Sequence, residues 1–511
     1  MIARVTGRLG ARGSGVGARE SISERGWVVP AAFVLLAAVE GAAVAYVPAV
    51  GIGLAAGTFV MAAVVASDQP ASRLFLGLLL ALLTGYMFLG RGLAHVGVGP
   101  AYVGDVVLVA AVLVLVFALA RPARFDVLHG LLIVYILLGA ALTVPYLGAY
   151  GLDALRDGVT WIYALFAIAV SVIVLPAHFE RITAWYRRIL PLFLLWVPLA
   201  YYLDQIGTPA LPGSDVSAVV FKGGDIGVHL AGVAAFILLG LATTPGAGGN
   251  LRQALLWVLW LVDVAVAGAV NRGGLLAASI ALVAVIFGRS SQRLMVLVLV
   301  GFSLLMGAAL INPTVDTAAK RDISLGQIVD NVGSIFSSSV GPDSLQGSKE
   351  FRLNWWGAIV DYTVNGPYFW TGKGFGINLA DSDGFQTDGT LRAPHNSHMT
   401  ILAREGVPGL ILWLALQAIF GWRLLRAGYR ALSDGRIFLV QMIGWLFVYW
   451  LAALVNMSFD VYLESPQGGV WFWVTFGLGI AAIGAEVASR PSEVARRVPT
   501  QAGAQAQTSG A

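Results

Sequence analysis

The chain has 511 residues, 58% of them hydrophobic and 12% charged, with no cysteine and a formal net charge of +4. A soluble domain carries about 25% charged residues, so these proportions exclude an ordinary soluble protein. The missing cysteines exclude disulfides, thiolate metal sites and a cysteine nucleophile. Basic residues are scattered between apolar runs, so no nucleic-acid partner is expected.

Residues 1–26 are rich in Arg, Gly and Ser and lead straight into an apolar run without a small-residue cleavage site. They read as a cytoplasmic tail before an uncleaved first helix, not as a signal peptide. Apolar segments follow near 27–45, 49–66, 74–90, 104–119, 127–147, 158–176, 189–205, 226–243, 254–269, 273–288, 294–311, 406–422, 437–455 and 470–488. Each approaches the roughly 20 residues that a bilayer core requires. Backbone in lipid must satisfy its own hydrogen bonds, and the alternation a barrel needs is absent, so these segments are helices. The expected fold is all-α and polytopic, with about 12–14 transmembrane helices. Its parts are transmembrane helices over 27–312, a large extracytoplasmic loop over 313–405, transmembrane helices over 406–488, and a disordered tail over 489–511.

Charge placement orients the chain. With the N-terminus cytoplasmic, the inside segments hold 21 arginines, among them Arg4, Arg73, Arg124, Arg187, Arg293, Arg423 and Arg496. Short outside loops and helix ends hold only five basic residues, Arg91, Arg156, Lys222, Arg272 and Arg404. That asymmetry places both termini inside a cytoplasmic (inner) membrane. The other six basic residues lie in the long outside segment, roughly 313–397, which the rule exempts.

Within that segment Phe351, Trp355, Ile359 and Tyr362 recur at helical spacing, the pattern of an amphipathic helix lying along the bilayer surface. Further on come Gly372-Lys373-Gly374-Phe375-Gly376, His395-Asn396 and Glu405-Gly406-x-x-Gly409. The glycine run lacks a Walker Lys-Ser/Thr ending and a preceding strand, so it reads as a tight turn, with Lys373 within possible reach of a phosphate. Asp381-Ser382-Asp383 looks like a metal-binding pair of nucleotide-sugar transferases but falls outside, where that donor is absent, and reads as a solvated loop. Glu40 and Asp263 are acids inside apolar spans, and Asp105 lies at a helix edge. For Asp263, pairing with another span is expected.

Arg352 with Trp355 and Trp356, then Pro367, the glycine turn, His395-Asn396 and Glu405-Gly406-x-x-Gly409 resemble, in that order, the O-antigen ligase and Wzy-type polymerase family of bacterial membrane proteins. Asn271-Arg272-Gly273-Gly274 resembles the family's small-residue-Arg-Gly turn, with Asn271 where the family usually has Ser. The resemblance implies a C-type membrane glycosyltransferase fold. It also implies transfer or polymerisation of a polyprenyl-pyrophosphate-linked glycan on the outer face, onto a glycan, lipid or protein acceptor, without a cofactor.

Chemistry agrees with that implication. No nucleotide-sugar pool exists outside, so the donor must arrive on a lipid. A departing pyrophosphate needs fixed positive charge, and arginine supplies a bidentate fork that never deprotonates. Arg272 and Arg352 are the expected pyrophosphate ligands. Arg156 is a third candidate, flanked by Asp153 and Asp157, which offer it pairing partners. His395 is the expected general base for an acceptor hydroxyl. Asn396 and His398 are supporting candidates, His398 sharing a helix face with His395. A helix-capping role for His395 is the rival reading. His129, His178 and His229 read as structural, and His95 as an outside histidine without a motif. No metal site is expected. A transporter or flippase for a lipid-linked glycan is the alternative, disfavoured because neither repeated halves nor broken helices with midplane charge are visible.

Overall fold

A computed structural model describes residues 71–98, 101–118, 125–242, 249–287, 293–295, 297–298, 301, 343–386 and 391–488. These residues form an all-α membrane protein. The helices used below are α1 (Ala71–Leu89), α2 (Val103–Ala118), α3 (Val127–Thr143), α4 (Leu152–Asp157), α5 (Ala164–Ile173), α6 (Phe179–Ile206), α7 (Gly223–Leu238), α8 (Gly249–Val270), α9 (Arg272–Ser279), α10 (Asp343–Thr363), α11 (Ser397–Ser433), α12 (Ile437–Met457) and α13 (Pro466–Ala488). A hairpin pairs Gly97 with Tyr102 and Val98 with Ala101 just before α2.

Seven of the described helices are long and apolar enough to cross a membrane, and four shorter apolar helices accompany them. Together they coincide with eleven of the fourteen apolar segments read from the sequence. Segments 27–45 and 49–66, Glu40, and nearly all of 294–311 lie outside the described residues.

The bundle sorts by how much of each helix faces lipid. α6 turns Leu192, Leu195, Leu199, Tyr202 and Ile206 outward, three or four residues apart, which is one helical face. α13 and α7 lie at the centre: every residue of α7 except Ile226 is buried. Where α7 crosses α9, a Cβ on Gly227 would overlap the Gly274 carbonyl, and one on Gly274 would overlap that of Gly223. Only glycine permits this backbone approach, the small-residue packing of membrane helices. It fixes Lys222 and Asn271, at the starts of α7 and α9, close together.

Over 343–386 the apolar stripe of α10 is confirmed as a helix face, but it does not lie on the bilayer. Trp355 and Ile359 are fully buried against Leu379, Ala380, Leu402 and Ala403. Covering by protein satisfies that face better than an interface would.

Candidate active site

The N-terminal part of α11 is broken, and the break builds the site. Gly406 has φ 70° and ψ −170°, and Pro408 follows inside the helix. Proline has no N–H to offer the Arg404 carbonyl. The Val407 N–H turns away to donate to Phe369 O at 2.8 Å, which also frees the Ala403 carbonyl. The glycine turn replaces both lost donors: Lys373 N–H donates to Ala403 O at 2.8 Å and Gly374 N–H to Arg404 O at 3.1 Å. The turn needs glycine, because Gly372, Gly374 and Gly376 have φ of 58°, 74° and 98° and a Cβ on Gly372 would overlap the Arg404 backbone.

Arg404, buried by this docking, donates to the carbonyls of Gly374 (3.2 Å) and Ile377 (3.3 Å) and pairs with Asp157 at 2.9 Å. Asp157 also accepts from Arg392 at 3.1 Å and from the Gly376 N–H at 3.0 Å. Lys373 is occupied as well: its ammonium lies 2.5 Å from Asp383 and 2.8 Å from the Ser382 hydroxyl. Asp383 is therefore no solvated loop carboxylate. Its side chain is buried, and it accepts from Trp355 at 2.7 Å and Tyr362 at 3.3 Å. Burial, together with Asp383, pushes the Tyr362 phenol upward, so it stays a donor.

Above this scaffold opens a cavity of about 530 Å³. Val106, Val109, Val159 and Ile162 form an apolar wall, while Arg91, Arg156, Lys222, Arg392, Arg404, His95 and His395 supply cationic and titratable groups. Asp157 and Asp153 pair with Arg392, at 3.1 and 3.8 Å, instead of with Arg156. The sequence expectation that they would neutralise Arg156 is thereby corrected. Arg156 is exposed on α4, and among the described residues neither it nor Arg91 makes an ion pair.

His395 stands at the cavity wall with its side chain 36% exposed. It does not cap α11 and does not share its face with His398. Asn396 is the N-cap, its side chain accepting from the N–H groups of His398 (3.0 Å) and Met399 (3.2 Å). His395 precedes the helix with φ 51°, the single positive φ among described residues other than glycine. Such backbone strain persists only where surroundings enforce it. Here Trp356 donates to the Pro394 carbonyl at 2.9 Å, holding the preceding residue.

The His395 Nδ1 faces Asp460 Oδ1 at 3.7 Å, and Lys222 approaches the other oxygen at 3.1 Å. Val461 N–H donates to Oδ1 at 2.8 Å. Burial alone would raise the Asp460 carboxyl, but Lys222 and His395 outweigh it and hold the group well below the usual carboxylate range. Asp460 is thus a fixed negative charge beside His395. Burial depresses Lys222, and Asp225 with Asp460 reverses that, so it remains a cation. Glu464 also lines the cavity; it receives the Ser397 hydroxyl, and burial pushes its carboxyl upward.

Other expected site residues take definite places. Arg272 opens α9, with Asn271 as N-cap accepting from Gly273 (2.7 Å) and Gly274 (3.2 Å). Asn and Ser are both good N-caps, which accounts for the departure at 271. Asn271 packs on Gly223, next to Lys222, and Gly273 packs on Phe459, next to Asp460. Arg352 on α10 donates to the Phe459 carbonyl at 2.9 Å, outside the cavity lining but one residue from Asp460. His398 is turned into the bundle, accepting from Trp413 at 3.1 Å and facing Leu454 O at 3.3 Å. His129 meets Asp126 and Ser171, and His229 meets Tyr449. The pairing expected for Asp263 is not seen among the described residues.

Residues 255–414 match the family described as O-Antigen ligase (Wzy_C). That stretch runs from α8 through the kink of α11 and contains Arg272, Arg352, the glycine turn and His395. No curated protein matches the chain.

Proposed function

We propose that the chain transfers a polyprenyl-pyrophosphate-linked glycan to an acceptor hydroxyl on the outer face of the cytoplasmic membrane, with inversion and without a metal. One observation carries the reading: His395, backed by Asp460, stands in a cavity lined both by branched aliphatic residues and by two arginines, Arg91 and Arg156, that make no ion pair among the described residues.

The roles follow from the geometry. Asp460 faces Nδ1, which leaves Nε2 of His395 to take the acceptor proton. The acceptor oxygen forms a bond to the anomeric carbon while the bond from that carbon to pyrophosphate breaks, its electron pair leaving with the pyrophosphate. Arg91 and Arg156 meet the developing negative charge, joined by Arg272 and Arg352 as the family resemblance implies. Asp460 stabilises the imidazolium that forms, as the acid of a catalytic triad does.

The charge pattern supports an outward cavity. Arg91, Arg156, Lys222 and Arg404, all from the positive-poor loops, line it, and among the described residues none of the inside arginines does. The test is turnover in proteoliposomes supplied with lipid-linked glycan. The expected products are a new glycosidic bond and free polyprenyl pyrophosphate. Movement of the donor between leaflets with no bond formed would overturn the reading in favour of a flippase.

A further inference from the structure

Between α10 and the glycine turn runs Val364-Asn365-Gly366-Pro367-Tyr368-Phe369-Trp370-Thr371, eight residues without a charge. Trp370 is 73% exposed, and Val364 and Tyr368 are exposed beside it. An exposed tryptophan on a loose loop would mean little, but this backbone is pinned throughout. Tyr368 N–H donates to Tyr362 O at 3.0 Å, Gly372 N–H to Tyr368 O at 3.0 Å, and Val407 N–H to Phe369 O at 2.8 Å. The Tyr368 ring also packs edge-on against Tyr362, the ring that Lys373 covers at 4.3 Å. The aromatic tip is therefore held out rigidly instead of folding back onto the protein.

Its position says what it meets. The bond to Val407 sets the tip at the outer end of the membrane-crossing part of α11. Ile411 and Leu414, both exposed, begin the lipid-facing stripe of that helix. Ile411 lies four residues past Val407, about 6 Å along the helix axis. Val144, at the outer end of α3, is likewise exposed, and Tyr146 just after it contacts the glycine turn. An uncharged patch of Trp, Tyr and aliphatic side chains, continuous with the lipid-facing surface and one helical turn above it, has the composition and the height of an interfacial anchor.

We infer that the Tyr368–Trp370 tip inserts into the headgroup boundary of the outer leaflet and sets the depth of the catalytic cavity relative to the bilayer. The coupling is short. The tip is continuous with the glycine turn, and that turn holds Arg404, which lines the cavity. A lipid pyrophosphate lies at a fixed height in the membrane, so an anchored turn keeps the cavity at that height.

The absence of cysteine in the chain makes the test direct. Trp370→Cys, Ile411→Cys and Asp381→Cys are each given a nitroxide label in phospholipid nanodiscs. Collision with oxygen, which concentrates in lipid, is then compared with collision with a water-soluble nickel complex. Ile411 reports the bilayer interior, and Asp381, an exposed charged residue beyond the glycine turn, reports water. The label at 370 is expected between them, shifted clearly towards oxygen relative to 381. Collision rates equal to those at Asp381 would overturn the inference. A label shielded from both probes would also overturn it, by showing that a protein surface covers the tip. The readout is depth and not turnover, so it stands or falls separately from the transferase reading.

Discussion

Replacing Asp460 with asparagine removes one charge and little else. Asparagine keeps an oxygen for the Val461 N–H, and the side chain volume is unchanged. What disappears is a carboxylate 3.7 Å from His395 Nδ1. Two unit charges at that distance interact by about 1 kcal/mol in bulk water and about 4 kcal/mol at an effective dielectric near 20. His395 is partly exposed, so an intermediate value of about 2 kcal/mol is appropriate. Because the imidazolium exists only as the proton moves, the loss falls on the transition state. It corresponds to about a 30-fold fall in kcat with little change in KM. The assay is release of polyprenyl pyrophosphate from proteoliposomes at saturating donor. The same variant removes the nearer of the two carboxylates on the Lys222 ammonium, at 3.1 Å, and leaves Asp225 at 3.7 Å. Donor binding is therefore expected to hold or tighten. Wild-type kcat in a normally expressed Asp460→Asn protein would refute the pairing. A loss confined to KM would move Asp460 from the base to the binding machinery.

Gly372→Ala should lower expression and melting temperature, since a Cβ would overlap the Arg404 backbone at φ 58°; left-handed strain alone costs about 1–2 kcal/mol, and thermal denaturation in detergent measures it. Asp383→Asn should destabilise the protein by about 3–5 kcal/mol by stranding Lys373, while turnover of the intact wild type should survive EDTA. Loss on chelation with recovery by a divalent ion would instead make Asp383 a metal ligand. Glu464, raised by burial, binds its proton more tightly folded than unfolded. Its contribution is present in full below its unfolded pKa and is lost as pH rises through the raised folded value. Glu464→Gln should therefore flatten the decline in melting temperature with rising pH, and parallel curves for the two proteins would count against it.

Helix positions were legible because lipid leaves the chain one solution: a run of apolar residues of bilayer length must be a helix. Boundaries were less so. α6 begins at Phe179, ten residues before the apolar segment at 189, because its first turns carry Glu180, Arg181, Arg187 and Arg188 in the polar zone. The stripe of α10 was visible as period but not as destination, since hydrophobic spacing does not say whether lipid or protein will cover a face. His395 was found through its neighbours in sequence. Its partner was not: Asp460 comes from the short connection between α12 and α13, 65 residues away, and no local pattern marks it. Lys222, Arg91 and His95 come from still farther. A usable signal did exist for the cations. The charge rule sets apart the few cations of the positive-poor loops, and Arg91, Arg156, Lys222 and Arg404 from that set line the cavity.

His395→Asn tests the central claim most directly. Asparagine tolerates the left-handed region better than most residues, so the backbone at φ 51° is preserved. Asn396 already caps α11, so no cap is gained or lost at 395. Only the imidazole goes. In proteoliposomes with saturating lipid-linked donor, turnover should fall by about 10²–10⁴-fold, with expression, melting temperature and donor binding unchanged. Full turnover in that variant would contradict the assignment of His395 as the base and, with it, the account of the cavity.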